Sequence, residues 1–203
     1  MESKTFFKSI IASKHKGFSL IELLIVLLIV SILALIALPQ INASRRLLRF
    51  EGIKRQIVST LRDARQEAMT QREPITVRYV DATKQIFVYG GKYGTFGNSS
   101  NVFVNLSGEG FPQGDLIYGK TPAASLSALG DGSNVEVLVA GNMDVTFQAD
   151  GTVVNAANNP SNKAIFFYDL QNADKSAFAI SILGAGGRVK TWRYSAGVNG
   201  YVE

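Results

Sequence analysis

Hydrophobic and polar positions fall into three regimes along this chain. Residues 18–38, FSLIELLIVLLIVSILALIAL, hold eighteen apolar side chains out of 21, interrupted by Ser19, Glu22 and Ser31. A helix of that length rises about 31 Å, enough to cross a hydrocarbon core. The apolar region of a secretory signal runs only about 7–15 residues before a small-residue cleavage site. Here the run is longer and no A-x-A pattern follows, so it predicts a transmembrane helix that is retained. Over residues 39–73 the pattern becomes amphipathic. Phe50, Ile53, Ile57, Leu61, Ala64 and Ala68 recur at spacings of three and four with charges between them, a stripe that faces a core. Pro39 removes one helix hydrogen bond and predicts a kink; it does not end the helix, because the helical pattern resumes beyond it. Glu73-Pro74 closes the stretch, since the residue before a proline disfavours helix.

From Pro74 the period changes to two. Residues 75–80, 85–89, 101–106, 135–140, 144–148, 163–168, 177–183 and 189–194 read as strands. Turn chemistry at Asp81-Ala82-Thr83-Lys84, Asp131-Gly132, Asp150-Gly151 and Gly184-Ala185-Gly186-Gly187 separates them. No amphipathic helix is evident after Pro74 apart from a short candidate at 122–129. Residues 74–203 are therefore expected to form one β-rich domain, two sheets against the helix, in an α+β chain.

Charge sharpens this division. The 203 residues carry a formal net charge of +5 and a pI near 9.5, values that on their own suggest a polyanion partner. Residues 1–17 hold Lys4, Lys8, Lys14 and Lys16 against Glu2 alone, and the strand domain is close to neutral. Much of the basic excess is thus a flank of the apolar run. By the positive-inside rule it keeps the N-terminus cytoplasmic and sends residues after 38 to the far face.

Glu22 is the anomaly. A carboxylate near the start of an apolar helix costs roughly 2–3 kcal/mol on insertion scales, and intramembrane ionisable groups are normally paired. Residues 18–38 contain no Lys or Arg. A cut between Gly17 and Phe18 would create an α-amino group one helical turn from Glu22, and the two would satisfy each other within one chain or between neighbours. The segment Lys16-Gly17-Phe18-Ser19-Leu20-Ile21-Glu22-Leu23-Leu24 resembles the cleavage and methylation signal of type IV pilins and type II secretion pseudopilins. That resemblance implies a pilin-like fold, with a long N-terminal helix packed on an antiparallel β-sheet domain. It implies removal of the leader 1–17 by prepilin peptidase, N-methylation of Phe18, and pairing of Glu22 with a neighbour's amine during filament assembly. The expected location is the inner membrane, single-pass, with residues 74–203 periplasmic. The expected partners are other pilins or pseudopilins and an inner-membrane assembly platform.

Phe147-Gln148-Ala149-Asp150-Gly151-Thr152 and Gly186-Gly187-Arg188-Val189-Lys190 are similar to the pseudopilin H branch, which also holds FimT- and FimU-like minor pilins. The chain has no Cys, whereas major type IV pilins usually close a C-terminal loop with two. The resemblance implies a minor pseudopilin of a type II secretion pseudopilus. Its alternative is a FimT/FimU-like minor pilin acting in pilus assembly or DNA uptake. For the latter, Arg188, Lys190 and Arg193 are the candidate DNA contact, with Trp192 and Tyr194 beside them to stack on bases. The competing reading is an edge strand protected by its charges.

Catalysis is not expected. The one His, His15, lies in the leader, so the processed chain has neither His nor Cys, and no metal or cofactor is expected. Residues 114–121, Gly-Asp-Leu-Ile-Tyr-Gly-Lys-Thr, match the P-loop spacing, but a P-loop follows a strand and opens a helix. Here Pro122 follows at once, and the segment reads as a surface turn. Gly91-Lys92-Tyr93-Gly94-Thr95-Phe96-Gly97 reads as a mobile surface loop and a candidate subunit contact.

Overall fold

The computed structural model describes residues 17–108, 113–121, 129 and 141–203. The expected strand 135–140, the Asp131-Gly132 turn, the helix candidate at 122–129 apart from Leu129, and the leader through Lys16 with His15 lie outside the described residues. The chain divides into two compact units, residues 1–43 and 44–203. One helix, α1 (Leu20–Gln71), contributes to both. Its backbone stays helical through Pro39. At its end Arg72 adopts a left-handed φ of 55° and the Glu73 N–H donates to the Ala68 carbonyl at 3.3 Å. That is the backward closure that satisfies terminal carbonyls of a helix.

In the first unit the described part of α1 buries nothing: every side chain from Leu20 to Leu38 is exposed. In the second unit the stripe Phe50, Ile53, Ile57, Leu61, Ala64 and Ala68 is buried as the spacing predicts, joined by Val58. Among the described residues ten strands follow: β1 (Ile75–Val80), β2 (Gln85–Gly90), β3 (Val102–Asn105), β4 (Leu116–Tyr118), β5 (Asn142–Phe147), β6 (Val153–Val154), β7 (Lys163–Asp169), β8 (Phe178–Ile182), β9 (Val189–Ser195) and β10 (Gly200–Val202). A one-turn helix, α2 (Ala173–Ser176), separates β7 from β8. The strands form two antiparallel five-stranded sheets, ordered β3-β2-β1-β5-β6 and β10-β9-β8-β7-β4.

A single core joins the α1 stripe to the inner faces of both sheets, including Val77, Tyr79, Val145 and Phe147 from the first and Ile165, Phe167, Ile180 and Ile182 from the second. Aromatic rings cross it in sequence. Phe50 of α1 meets Phe178 edge-on at 5.3 Å, Phe178 meets Phe167, and Phe167 meets Tyr79 of the other sheet at 5.1 Å. The second sheet is also covered behind, where Ala164, Phe166, Ala179 and Trp192 pack with Leu129. Burial on both faces explains why β7 and β8 are apolar at consecutive positions, Ile165-Phe166-Phe167 above all.

The structure corrects the reading of 114–121 as a surface turn. Leu116 is fully buried, and β4 pairs with β7 in the register Leu116↔Asp169, Ile117↔Tyr168 and Tyr118↔Phe167. A phosphate cradle needs free backbone N–H groups, and here the middle of the motif is committed to a ladder. The short helix α2 and the strands β6 and β10 are also absent from the sequence reading. They are too short, two to four residues each, to show a period.

One polar cluster fastens α1 to the domain at the first turns of the second unit. Arg46 Nε donates to Asp169 at 2.5 Å, and its Nη2 donates both to Asp115 at 2.7 Å and to the second Asp169 oxygen. The Asp169 side chain is 1% exposed. It also accepts the Gln171 N–H at 3.0 Å. Burial pushes the Asp169 carboxyl up, but the hydrogen bonds from Arg46 and Gln171 and the guanidinium charge outweigh it and hold it below the usual carboxylate range. Its contribution to stability is therefore present above the ordinary carboxylate pKa and is lost as pH falls through the depressed one. Arg46→Met leaves a buried carboxylate without its cation and is expected to cost about 3–5 kcal/mol at pH 7. Urea unfolding in mild detergent, followed by the fluorescence of Trp192, checks this. The deficit relative to wild type should shrink towards pH 3, where the orphaned Asp169 is protonated, and Asp169→Leu added to Arg46→Met should recover part of it.

Candidate functional site

The head of the first unit is built by local sequence. Gly17, Phe18 and Ser19 lie outside the helix. Ser19 caps it: its Oγ accepts the Glu22 N–H at 3.2 Å and its carbonyl accepts the Leu23 N–H at 3.1 Å. Ser19-x-x-Glu22 is the spacing of a capping box, and a carboxylate in the first turn complements the positive end of the helix dipole. The signal for this cap, a Ser three residues before a Glu ahead of an apolar run, stands in the sequence, yet its meaning as a helix start emerges only with the structure.

Three features of this head bear on chemistry. The Gly17–Phe18 peptide lies two residues ahead of the first helical residue, and Gly17 and Phe18 are both exposed, Phe18 at 78%. A Cβ built on Gly17 would meet no atom within 4 Å. Among the described residues nothing therefore requires glycine at that position. Glu22 is exposed and has no ion pair among the described residues. Below it, the exposed Leu, Ile and Val side chains of α1 form a surface long and apolar enough to cross a membrane.

The second candidate, the basic stretch near the C-terminus, is dispersed by its strand. Val189 belongs to the core shared with α1, and Thr191 and Arg193 follow it on that face of β9. Lys190, Trp192 and Tyr194 take the opposite face. Lys190 bonds to the Glu203 carboxylate at 2.9 Å and lies 5.3 Å from the Trp192 ring centre. Arg188 is exposed in the turn before β9, and Arg193 is exposed on the strand. The expectation that Trp192 and Tyr194 stack on bases is corrected. Both are buried, with the Trp192 Nε1 donating to Ser181 at 2.9 Å and the Tyr194 hydroxyl donating to Asn199 at 3.1 Å. The reason is the second covered face of this sheet, which alternation alone does not reveal.

The two turns that carry the resemblance to the pseudopilin H branch come together in space. Gly187, at φ 58°, packs so closely that a Cβ there would lie 2.0 Å from the Gly151 carbonyl oxygen and against Arg65 of α1. Only glycine fits both that conformation and that approach. The loop at 91–97 is tied to the end of α1: the Lys92 N–H donates to Gln71 at 2.7 Å, and its ammonium pairs with Glu67.

Comparison with known proteins adds two family matches. Residues 12–38 match the prokaryotic N-terminal methylation motif, and residues 55–186 match the family described as type II transport protein GspH. The chain is also similar to the crystal structure of the type IV minor pilin FimU of Pseudomonas aeruginosa (strain PAO1), at 18% identity over 70% of this chain and 86% of that one, with a TM-score of 0.44. No match is found among curated proteins.

The cap makes the head testable. Ser19→Ala is expected to weaken the first turn by about 1 kcal/mol, which raises amide exchange at Glu22 about fivefold in detergent micelles. Exchange at Phe50 and beyond should stay unchanged. Equal exchange at Glu22 in both proteins would remove Ser19 as the cap.

Proposed function

The chain belongs to the type II transport protein GspH family, and from that membership we propose that it is a minor pseudopilin, a structural subunit of a type II secretion pseudopilus. The observation that carries this reading is the head of α1: an exposed Gly17–Phe18 bond, a helix capped at Ser19, and a Glu22 without an ion pair among the described residues, above an exposed apolar surface. Prepilin peptidase removes residues 1–17 and methylates the amino group of Phe18, which keeps its positive charge. The helix over residues 18–38 holds the subunit in the inner membrane, N-terminus cytoplasmic and residues 74–203 periplasmic. On assembly the carboxylate of Glu22 meets the Phe18 amine of an adjacent subunit, and the apolar surface passes from lipid to neighbouring helices.

Physical economy supports this order of events. In lipid the apolar side chains are satisfied and Glu22 is not; beside a neighbour's ammonium both are. A Cβ on Gly17 would meet none of the described residues, and a glycine kept there nonetheless fits recognition by a peptidase that admits only a bare backbone. Partners on this reading are other pseudopilins, the peptidase and the inner-membrane assembly platform, and the role is structural, with no catalytic step.

Two variants test it in cells that carry a type II secretion system. Gly17→Val is expected to leave an uncleaved membrane precursor. Glu22→Ala is expected to be cleaved and membrane-bound but depleted from sheared filaments by about tenfold, the effect of losing about 1.4 kcal/mol at each contact. Normal cleavage of the first, or normal incorporation of the second, contradicts the reading.

A further inference from the structure

β3 forms one edge of the first sheet, and nothing among the described residues pairs with its outer side. Edge strands are usually protected by charge, proline or a bulge. This one reads Val102-Phe103-Val104-Asn105 with no charge, and Val102 and Phe103 are 46% and 61% exposed. Its hydrogen-bonding phase is set by the bond from the Leu106 N–H to the Lys84 carbonyl at 3.0 Å. In an antiparallel ladder bonded pairs alternate, so Val104↔Ile86 and Val102↔Val88 bond inward to β2. The N–H and C=O groups of Phe103 and Asn105 therefore point away from β2, unpaired among the described residues.

Both faces beside that edge are prepared for side chains. On the outer face Phe103 lies next to Phe87, and Phe96 packs edge-on against Phe87 at 5.4 Å with Arg78 4.5 Å from its ring centre. On the inner face a groove of about 280 Å³ runs between β3 and α1, with Val88, Val102 and Val104 on one wall and Ala64, Asp63 and Glu67 on the other. Glu67 is paired with Lys92, whereas Asp63 accepts only a hydrogen bond from Ser59 at 3.2 Å and has no ion pair among the described residues.

We propose that β3 is a docking edge for an extended segment of a partner protein, which adds as a sixth strand with alternate apolar side chains in the groove and a Lys or Arg reaching Asp63. The charge selects the occupant. A second copy of β3 has no cation to offer Asp63, whereas a foreign strand with one basic residue among apolar inward positions complements the whole edge. The inference stands on the sheet edge and is independent of the proposed role in secretion.

The test uses the full chain in detergent micelles and a fluorescein-labelled heptapeptide with threonine at odd positions and valine, valine and lysine at even ones. A second peptide has glutamate in place of the lysine. Anisotropy titration is expected to show binding of the lysine peptide about fivefold tighter than its glutamate counterpart. Asp63→Asn should abolish that preference. Asn105→Pro removes one outward N–H while leaving the bonds to β2, and should weaken binding about tenfold with unchanged far-ultraviolet circular dichroism. No binding, equal binding of the two peptides, or indifference to Asn105→Pro overturns the proposal. Self-association without peptide that Asn105→Pro abolishes also overturns it, because the occupant is then a second copy.

Discussion

Between residues 20 and 38 every side chain is exposed, and water cannot hold that much hydrocarbon. Leaving the large apolar side chains of this stretch half in solvent would cost on the order of 15–20 kcal/mol. The whole folding stability of an ordinary domain is about 5–15 kcal/mol. The stretch is therefore satisfied by lipid or by other subunits, and every other feature of the head follows from that. A helix satisfies its backbone in either setting. The Ser19 cap starts the helix at Leu20, which leaves Gly17 and Phe18 outside it. On the proposed reading Glu22 is a group that lipid serves poorly and a neighbour's ammonium serves well, so that a single carboxylate would bias an apolar helix towards assembly.

The second unit solves a different problem, fixing the amphipathic part of α1 in a domain. Its apolar stripe closes the core between two sheets, and the aromatic series Phe50, Phe178, Phe167 and Tyr79 ties helix to both of them. At the start of this segment Arg46 pairs with Asp115 and the buried Asp169. Near its end Arg65 lies beneath the contact of Gly151 with Gly187. The helix is thus held by charge at one end, by apolar packing along its length, and by two glycine turns at the other. Hydrophobic burial supplies most of the driving force, whereas breaking the Arg46 cluster strands a buried charge.

How much of this could be read from the chain depended on the range of the interaction. The stripe from Phe50 to Ala68 was legible because its partners are one continuous core and its period is local. β1, β2 and β5 were legible because they alternate between a buried and a half-open face. The N-terminal motif was legible as well, because residues 16–24 that carry it are contiguous in the chain and fall within the matched methylation motif. The Arg46 cluster was not, because its members are 69 and 123 residues apart. Nor could alternation reveal that the second sheet is covered on both faces. Trp192 and Tyr194 consequently looked available for stacking although they are buried, and Lys190 looked free although Glu203 holds it. β4 hid inside a spurious nucleotide motif because three residues carry no period.

The proposed role depends on where the mature chain begins. Intact-mass and N-terminal fragment spectrometry of the wild-type protein, purified from membranes of cells with an active prepilin peptidase, measures this directly. The predicted result is a chain that starts at Phe18, with one methyl group on its amino nitrogen and no residue of the leader. A mature chain that retains Met1–Gly17, or that starts at any other residue, would contradict it.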